Sequence, residues 1–250
     1  MIKLVSINIQ GDNNKETVLP FLLKQSADVV CIQEIFEEDI KMYEEALGMK
    51  SFFKPIMYRE SFKNGGERDK LFGPAIFTNH KTIYNYEYIV GVESDIPIFA
   101  KPEDSTTERN ISNIVLLWAD ITIPGDSIYR ISTTHFTWTP DGMTTPYQIE
   151  DTTKLIKTLD ENLKAFVLVG DLNAPRGKEA FAMLAQKYKD NIPLEYESSI
   201  DPKLHRVQGL IHMVDGLFST KEYEVKDVKL IEGISDHKAV VANIQKIISI

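Results

Sequence analysis

The sequence contains a single cysteine, Cys31, so no disulfide can form within the chain. That suits a reducing compartment. No apolar run approaches the ~20 residues that a membrane-spanning helix needs. The opening stretch MIKLVSINIQ lacks the long apolar region and small-residue cleavage site of a secretory leader. The chain is therefore expected to be cytoplasmic. Positive charge is also short: 28 Lys and Arg stand against 37 Asp and Glu, a net charge of -9. This excludes a broad basic field for non-specific nucleic-acid binding but leaves room for a local basic groove. No Cys/His cluster has zinc-binding spacing, which excludes a structural zinc. Without low-complexity linkers or short repeats, residues 1–250 are expected to form a single domain.

Hydrophobic residues make up 43% of the chain, enough for a sizeable core. Strand-like runs fall at 2–9, 28–33, 74–78, 86–91, 113–123, 128–135, 165–170, 213–218, 223–230 and 238–244. Between them, Thr145-Pro146 marks a helix start, with Thr152, Leu155, Ile156, Leu159 and Leu163 on one face. A second helix is expected over 178–188, with Phe181, Leu184, Ala185 and Tyr188 inward, and further helices near 16–25 and 37–47. Residues 63–70 (KNGGERDK) and 93–112 read as exposed loops. Many strands with intervening helices suggest sheets packed face to face under helices.

The strand ends are unusual. VSINIQ sets Asn8 among apolar residues, and DVVCIQE closes on Gln33 and Glu34. STTHF closes on His135, and FVLVGDLNAP on Asp171 and Asn173. MVDGLF carries Asp215, and ISDHKAVV carries Asp236 and His237 ahead of the last strand. A buried carboxylate or amide is costly unless paired or bound to a metal. Taken singly, each has an ordinary explanation: a turn amide, a helix-start acid, a core histidine, an Asp-Gly turn. Six such positions at six strand ends make sense if the ends converge on one polar site. Asp171 and Asn173, two residues apart, are expected on one face of the extended chain.

These motifs resemble the endonuclease/exonuclease/phosphatase superfamily. The family's opening asparagine strand is similar to LVSINIQ, its QE motif to IQEIF, its strand-end histidine to TTHFTW and its GDxN motif to VGDLNAP. Its penultimate aspartate is similar to VDGLF, and its closing SDH motif stands as Ser235-Asp236-His237. The resemblance runs from residue 5 to 241. It implies an α/β (α+β) fold, a four-layered αββα sandwich of two mixed sheets, with the site in a cleft at one sandwich edge.

The resemblance also implies a chemistry, the hydrolysis of phosphate esters with Mg²⁺ or Mn²⁺. Glu34 is implied as the main metal ligand, joined by Asp236 and Asn8. Asp171 would deprotonate the attacking water and Asn173 would donate to a phosphate oxygen. His237, oriented and kept cationic by Asp215, would stabilise the transition state. His135 would make a second phosphate contact, oriented by Glu67 or Asp69.

Substrate choice is less legible. Lys54, Arg59, Lys63, Arg68 and Lys70 give residues 54–70 a modest positive excess. Trp138 could stack a base or cover an apolar group, against the plainer reading of core packing. Arg176 could reach a phosphate or cap a carbonyl. The stretch DPKLHRVQGLIHM lacks the aromatics that abasic-site enzymes carry there, and no sphingomyelinase-like hydrophobic loop is present. A phosphodiesterase of nucleic acid or a nucleotide adduct is expected first. The alternative is an inositol phosphate or lipid head group. A non-catalytic binding module of the same fold fits poorly, because the motif residues are all present.

Overall fold

The computed structural model describes residues 1–100, 103 and 108–247. In chain order the elements open with β1 (Ile2–Asn8), α1 (Lys15–Gln25), β2 (Val29–Phe36) and α2 (Ile40–Leu47). Then come β3 (Lys50–Phe53), β4 (Met57–Ser61), β5 (Gly65–Thr78), β6 (Lys81–Val90), β7 (Ile114–Thr122) and β8 (Ile128–His135). α3 (Pro146–Thr158) runs on through a π-helical turn to Leu163, and β9 (Val167–Asp171) and α4 (Glu179–Lys187) follow. β10 (Lys189–Asp190), β11 (Asp215–Ser219), β12 (Tyr223–Ile231) and β13 (Ala239–Lys246) complete the described chain.

Two mixed sheets pack face to face. One runs β12-β13-β1-β2-β5-β3, with β4 also on β5, and the other runs β10-β11-β9-β8-β7-β6. Each has one parallel pair at its centre, β1 with β2 and β8 with β9. Leu4, Cys31 and Ile76 meet Leu117, Ile131 and Val169 between the sheets. Val5, Ile7, Val30 and Ile32 face outward onto Val18 and Leu22 of α1 and Tyr43 of α2. Leu116 and Leu168 face the other way, onto Leu155, Leu159, Phe181 and Leu184. The result is a four-layered αββα sandwich. The central strands are covered on both faces, which is why Val29–Ile32 of β2 and Val167–Val169 of β9 read as unbroken apolar runs. The helix start at Thr145 is as expected: its Oγ1 accepts from the Gln148 N–H at 3.3 Å.

Some boundaries differ from expectation. Residues 63–70 are not a loop: only the tip turns, and 65–70 belong to β5, paired with β4. This arm is exposed and has no core behind it, so it carries no apolar alternation to betray a strand. β3 escaped notice, and β6 begins at Lys81 rather than near 86. Of the expected loop 93–112, residues 101, 102 and 104–107 lie outside the described residues. The rest is not a free loop: Phe99 is buried, and its N–H donates to Tyr58 O at 2.9 Å, while the Tyr58 N–H donates to Pro97 O at 2.7 Å. No helix among the described residues is long and apolar enough to cross a membrane.

Candidate active site

Strand parity brings most of the site together. Side chains alternate along a strand, so residues sharing parity share a face. Leu4 and Cys31 point between the sheets, and so must Asn8 and Gln33. Ile131, Val169 and Leu217 point between the sheets, and so must His135, Asp171 and Asp215. Register completes the alignment: His135 is paired with Asp171, and Asp171 with Asp215, across β8, β9 and β11. Three polar side chains therefore stand in one row, facing the end of the opposite sheet.

Glu34 has the wrong parity and needs a bulge. Ile32 pairs with Ala75 and Ile35 with Gly73, leaving Gln33 and Glu34 opposite Pro74 alone. Glu34 takes a left-handed backbone, φ 62°, a conformation that costs a non-glycine residue about 1–3 kcal/mol. Pro74 has no N–H to leave unpaired there. The bulge is held by the Gly11 N–H donating to Glu34 O at 2.9 Å. Gln33, fully buried, bonds across the sandwich, its Nε2 donating to Thr133 Oγ1 at 2.9 Å.

Asn8 then ties the two sheets together. Its Nδ2 donates to Glu34 Oε1 at 3.1 Å and to Asp171 Oδ2 at 3.0 Å, while its Oδ1 accepts from the Gln10 N–H. In this arrangement Asn8 meets the carboxylates as a donor. His135 Nε2 lies 3.4 Å from Glu34 Oε1 and 3.7 Å from Asp171 Oδ2. Its Nδ1 has no partner among the described residues, so the expected orientation by Glu67 or Asp69 is not seen. Both acids sit on the exposed arm of β5.

Asn173 reaches the site by a different route from the one alternation suggests. β9 stops at Asp171, whose Oδ1 accepts from the Asn173 N–H at 2.9 Å, and Asn173 turns with φ 50°. Its Nδ2 donates to Phe136 O, and its carbonyl accepts from the buried Gln148 of α3. Asp236 and His237 are clamped by residues 199–201: the Lys238 N–H donates to Ser199 O and the Asp201 N–H to Asp236 O. His237 Nδ1 meets Asp215 Oδ2 at 2.8 Å, and its Nε2 lies 3.8 Å from Asp171 Oδ2. Burial opposes charge on His237, but the carboxylates of Asp215 and Asp171 outweigh it and raise its pKa well above the ordinary histidine value. Burial raises the Asp171 carboxyl, against the pull of His237. Burial also pushes Asp236 up to about 6, with His237 opposing and Glu34 adding to the rise.

Glu34, His135, Asp171, Asn173, Asp236 and His237 form the floor of a cavity of about 380 Å³. Its wall is aromatic and cationic, with Phe62, Phe99, Trp138, Arg59 and Arg206. Trp138 is half-buried at this wall and not in the core. Arg176 takes its carbonyl-capping alternative. Its guanidinium donates to the carbonyls of Ile192, Pro193 and Tyr196 and pairs with Asp190 at 2.8 Å, so it does not line the cavity.

The model of the endonuclease/exonuclease/phosphatase family matches residues 5–237. The chain belongs to this family. Solved structures share the family fold at low identity. An endonuclease/exonuclease/phosphatase from Bacteroides vulgatus is 15% identical, with TM-score 0.69 and 98% of each chain covered. The human nocturnin catalytic domain with bound sulfate is 16% identical, with TM-score 0.68, covering 98% of this chain and 93% of that one. A mannosyl-6-phosphatase from Bacteroides thetaiotaomicron is 15% identical, with TM-score 0.63, covering 98% of this chain and 99% of that one. No curated protein sequence matches significantly.

Endonuclease/exonuclease/phosphatase family members are phosphoesterases and generally depend on a divalent metal, and the residues here fit one. Glu34 and Asp236 are hard oxygen donors, and Asp236 is buried close to the carboxylates of Glu34 and Asp171, where a cation would offset their charge. Asp171, Asp215 and His237 also lie within 4.8 Å of one another, but His237 already shares its Nδ1 with Asp215. Sequence reasoning missed Ser199, Asp201 and Gln148, which hold the site residues from behind. Only Asp201, before Pro202, carried a turn signal.

Proposed function

We propose that the protein is a divalent-metal-dependent phosphodiesterase, acting on nucleic acid or a nucleotide adduct through water activated at Asp171. The observation that carries this is the register-aligned row of His135, Asp171 and Asp215 facing Asn8 and Glu34 across the cleft. Glu34 and Asp236 would hold Mg²⁺ or Mn²⁺, with Asn8 bracing Glu34. A metal held there would supply Lewis-acid polarisation of the phosphoryl group. Asp171 takes the proton of the attacking water at its carboxylate. Asn173 turns its second amide N–H toward a phosphate oxygen, and His135 meets another. His237, held cationic by Asp215, donates to a non-bridging oxygen as charge builds there.

The cavity, at about 380 Å³, favours a second reading. Sites of ~300–1,000 Å³ suit small ligands, so a phosphorylated small molecule such as an inositol phosphate or lipid head group is the alternative. The fold neighbour named a mannosyl-6-phosphatase agrees with that size class. The test is turnover of a panel: abasic duplex, single-stranded DNA, RNA, a 5′-tyrosyl adduct, sphingomyelin, and inositol and sugar phosphates. We expect hydrolysis with Mg²⁺ or Mn²⁺ and its loss in excess EDTA. Full activity in EDTA would overturn the metal requirement, and no turnover of any member would overturn the reaction class.

A further inference from the structure

Buried polar atoms in folded proteins nearly all have partners. Among the described residues, four that lack one line the same cavity: Arg59 Nε, Asn110 Oδ1, His135 Nδ1 and Thr139 Oγ1. Of these only Arg59 brings a full charge. It sits on β4, its guanidinium 4.0 Å from the Phe62 ring centroid and 4.7 Å from that of Phe99. The rings fix the plane of the guanidinium but accept no hydrogen bond in that plane. Glu60, its neighbour in sequence, is engaged by Arg68 at 3.1 Å. Arg206, exposed on the segment between β10 and β11, lines the same cavity. Burial works most against the charge of Arg59, the carboxylates of Glu34 and Glu60 support it, and Arg206 repels it.

Two like-charged guanidiniums around one cavity, in a chain of net charge -9, are not a general basic field. They are a local one. The scissile phosphate has its own contacts on the floor, in His135, Asn173 and His237. The donors on the wall are left over. We propose that Arg59, with Arg206, binds a second phosphoryl group of the substrate and so selects molecules that carry two. The inference rests on the reading that the cavity floor takes the scissile phosphate. A guanidinium presents two parallel N–H groups to phosphate oxygens, which a lysine cannot do. Asn110 Oδ1 and Thr139 Oγ1 are placed to accept from, or bond to, hydroxyl or N–H groups of the moiety between the two phosphates.

The test reads binding, so it stands apart from the turnover panel. Calorimetry is run with Mg²⁺ in an Asp171→Asn background. The ligand pairs are adenosine 5′-monophosphate with adenosine 3′,5′-bisphosphate, and fructose 6-phosphate with fructose 1,6-bisphosphate. In at least one pair the bisphosphate should bind ~10–100-fold tighter, the range of a charge-assisted hydrogen bond. Adding Arg59→Gln should collapse that preference to within about 3-fold on the same scale, with Arg59→Lys between the two. Arg206→Gln lies at an exposed position where folding is not at stake, and it should lower the same ratio. No preference in either pair overturns the proposal, as does a preference that survives both glutamine variants. Equal weakening of mono- and bisphosphate by Arg59→Gln also overturns it, since Arg59 would then serve the scissile phosphate.

Discussion

Asp171 and Glu34 are both carboxylates of one cleft, yet their settings differ. Asp171 is buried at 1% exposure between two imidazoles, with Asn8 and the Asn173 N–H as donors. Glu34 is more open, and its left-handed bulge within β2 turns it toward the cavity. If Asp171 is the base, Asp171→Asn keeps shape and removes proton transfer. Turnover should fall by ~10²–10⁴, the usual range of general-base catalysis. Raised Mn²⁺ should restore little of it. Glu34→Gln should instead weaken metal affinity, and raised Mn²⁺ should recover part of its rate. Turnover and KM for both variants across a metal titration decide this. Equal rescue of the two would make Asp171 a metal ligand and not the base.

At the scale of elements, the site depends on the clasp of residues 199–201. Asp201 is buried, and burial works against its charge. The N–H groups of Gly233, Lys203 and Leu204 outweigh that and hold its pKa below the ordinary value. A lowered carboxylate pKa stabilises the fold above the unfolded value and loses that contribution as pH falls. Asp201→Asn should therefore cost ~1–3 kcal/mol at pH 7, with the gap to the natural protein narrowing below about pH 4. Denaturant unfolding across that range checks it, and a gap constant with pH would show that the charge plays no part. The same elements explain what the sequence could and could not disclose. The convergence was readable, because β2 and β9 run apolar up to Gln33 and Gly170, and β1 and β8 also close on polar residues, Asn8 and His135. The bulge at Glu34 was not, since it depends on which residue of β5 lies opposite. Nor was the turn that carries Asn173, which replaces the alternation expected there. The choice between the two options for Arg176 was not legible either, because carbonyls from residues 192–196 reach it only in the folded chain.

For the molecule as a whole, Glu34, Asp171, Asp215 and Asp236 from both sheets share one cleft, and a divalent cation should relieve their crowding. Binding at 100 times Kd adds ~2.7 kcal/mol of stability. For a chain this long that is a rise in Tm of roughly 5–10 °C. The rise should largely vanish in Glu34→Gln, and an equal rise in that variant would place the cation elsewhere.

The pairing of β1 with β13 joins Ile2 to Ile244 and Ser6 to Val240. During synthesis β1 must therefore wait for almost the whole described chain before its second edge is covered. Until then it is a bare apolar edge, open to pairing with other chains. Asp236 and His237 immediately precede that late strand. A nascent or truncated chain lacking it would hold Asn8, Glu34, His135 and Asp171 without the residues that finish the cleft. The cleft is thus completed at the same moment as the edge is protected from aggregation.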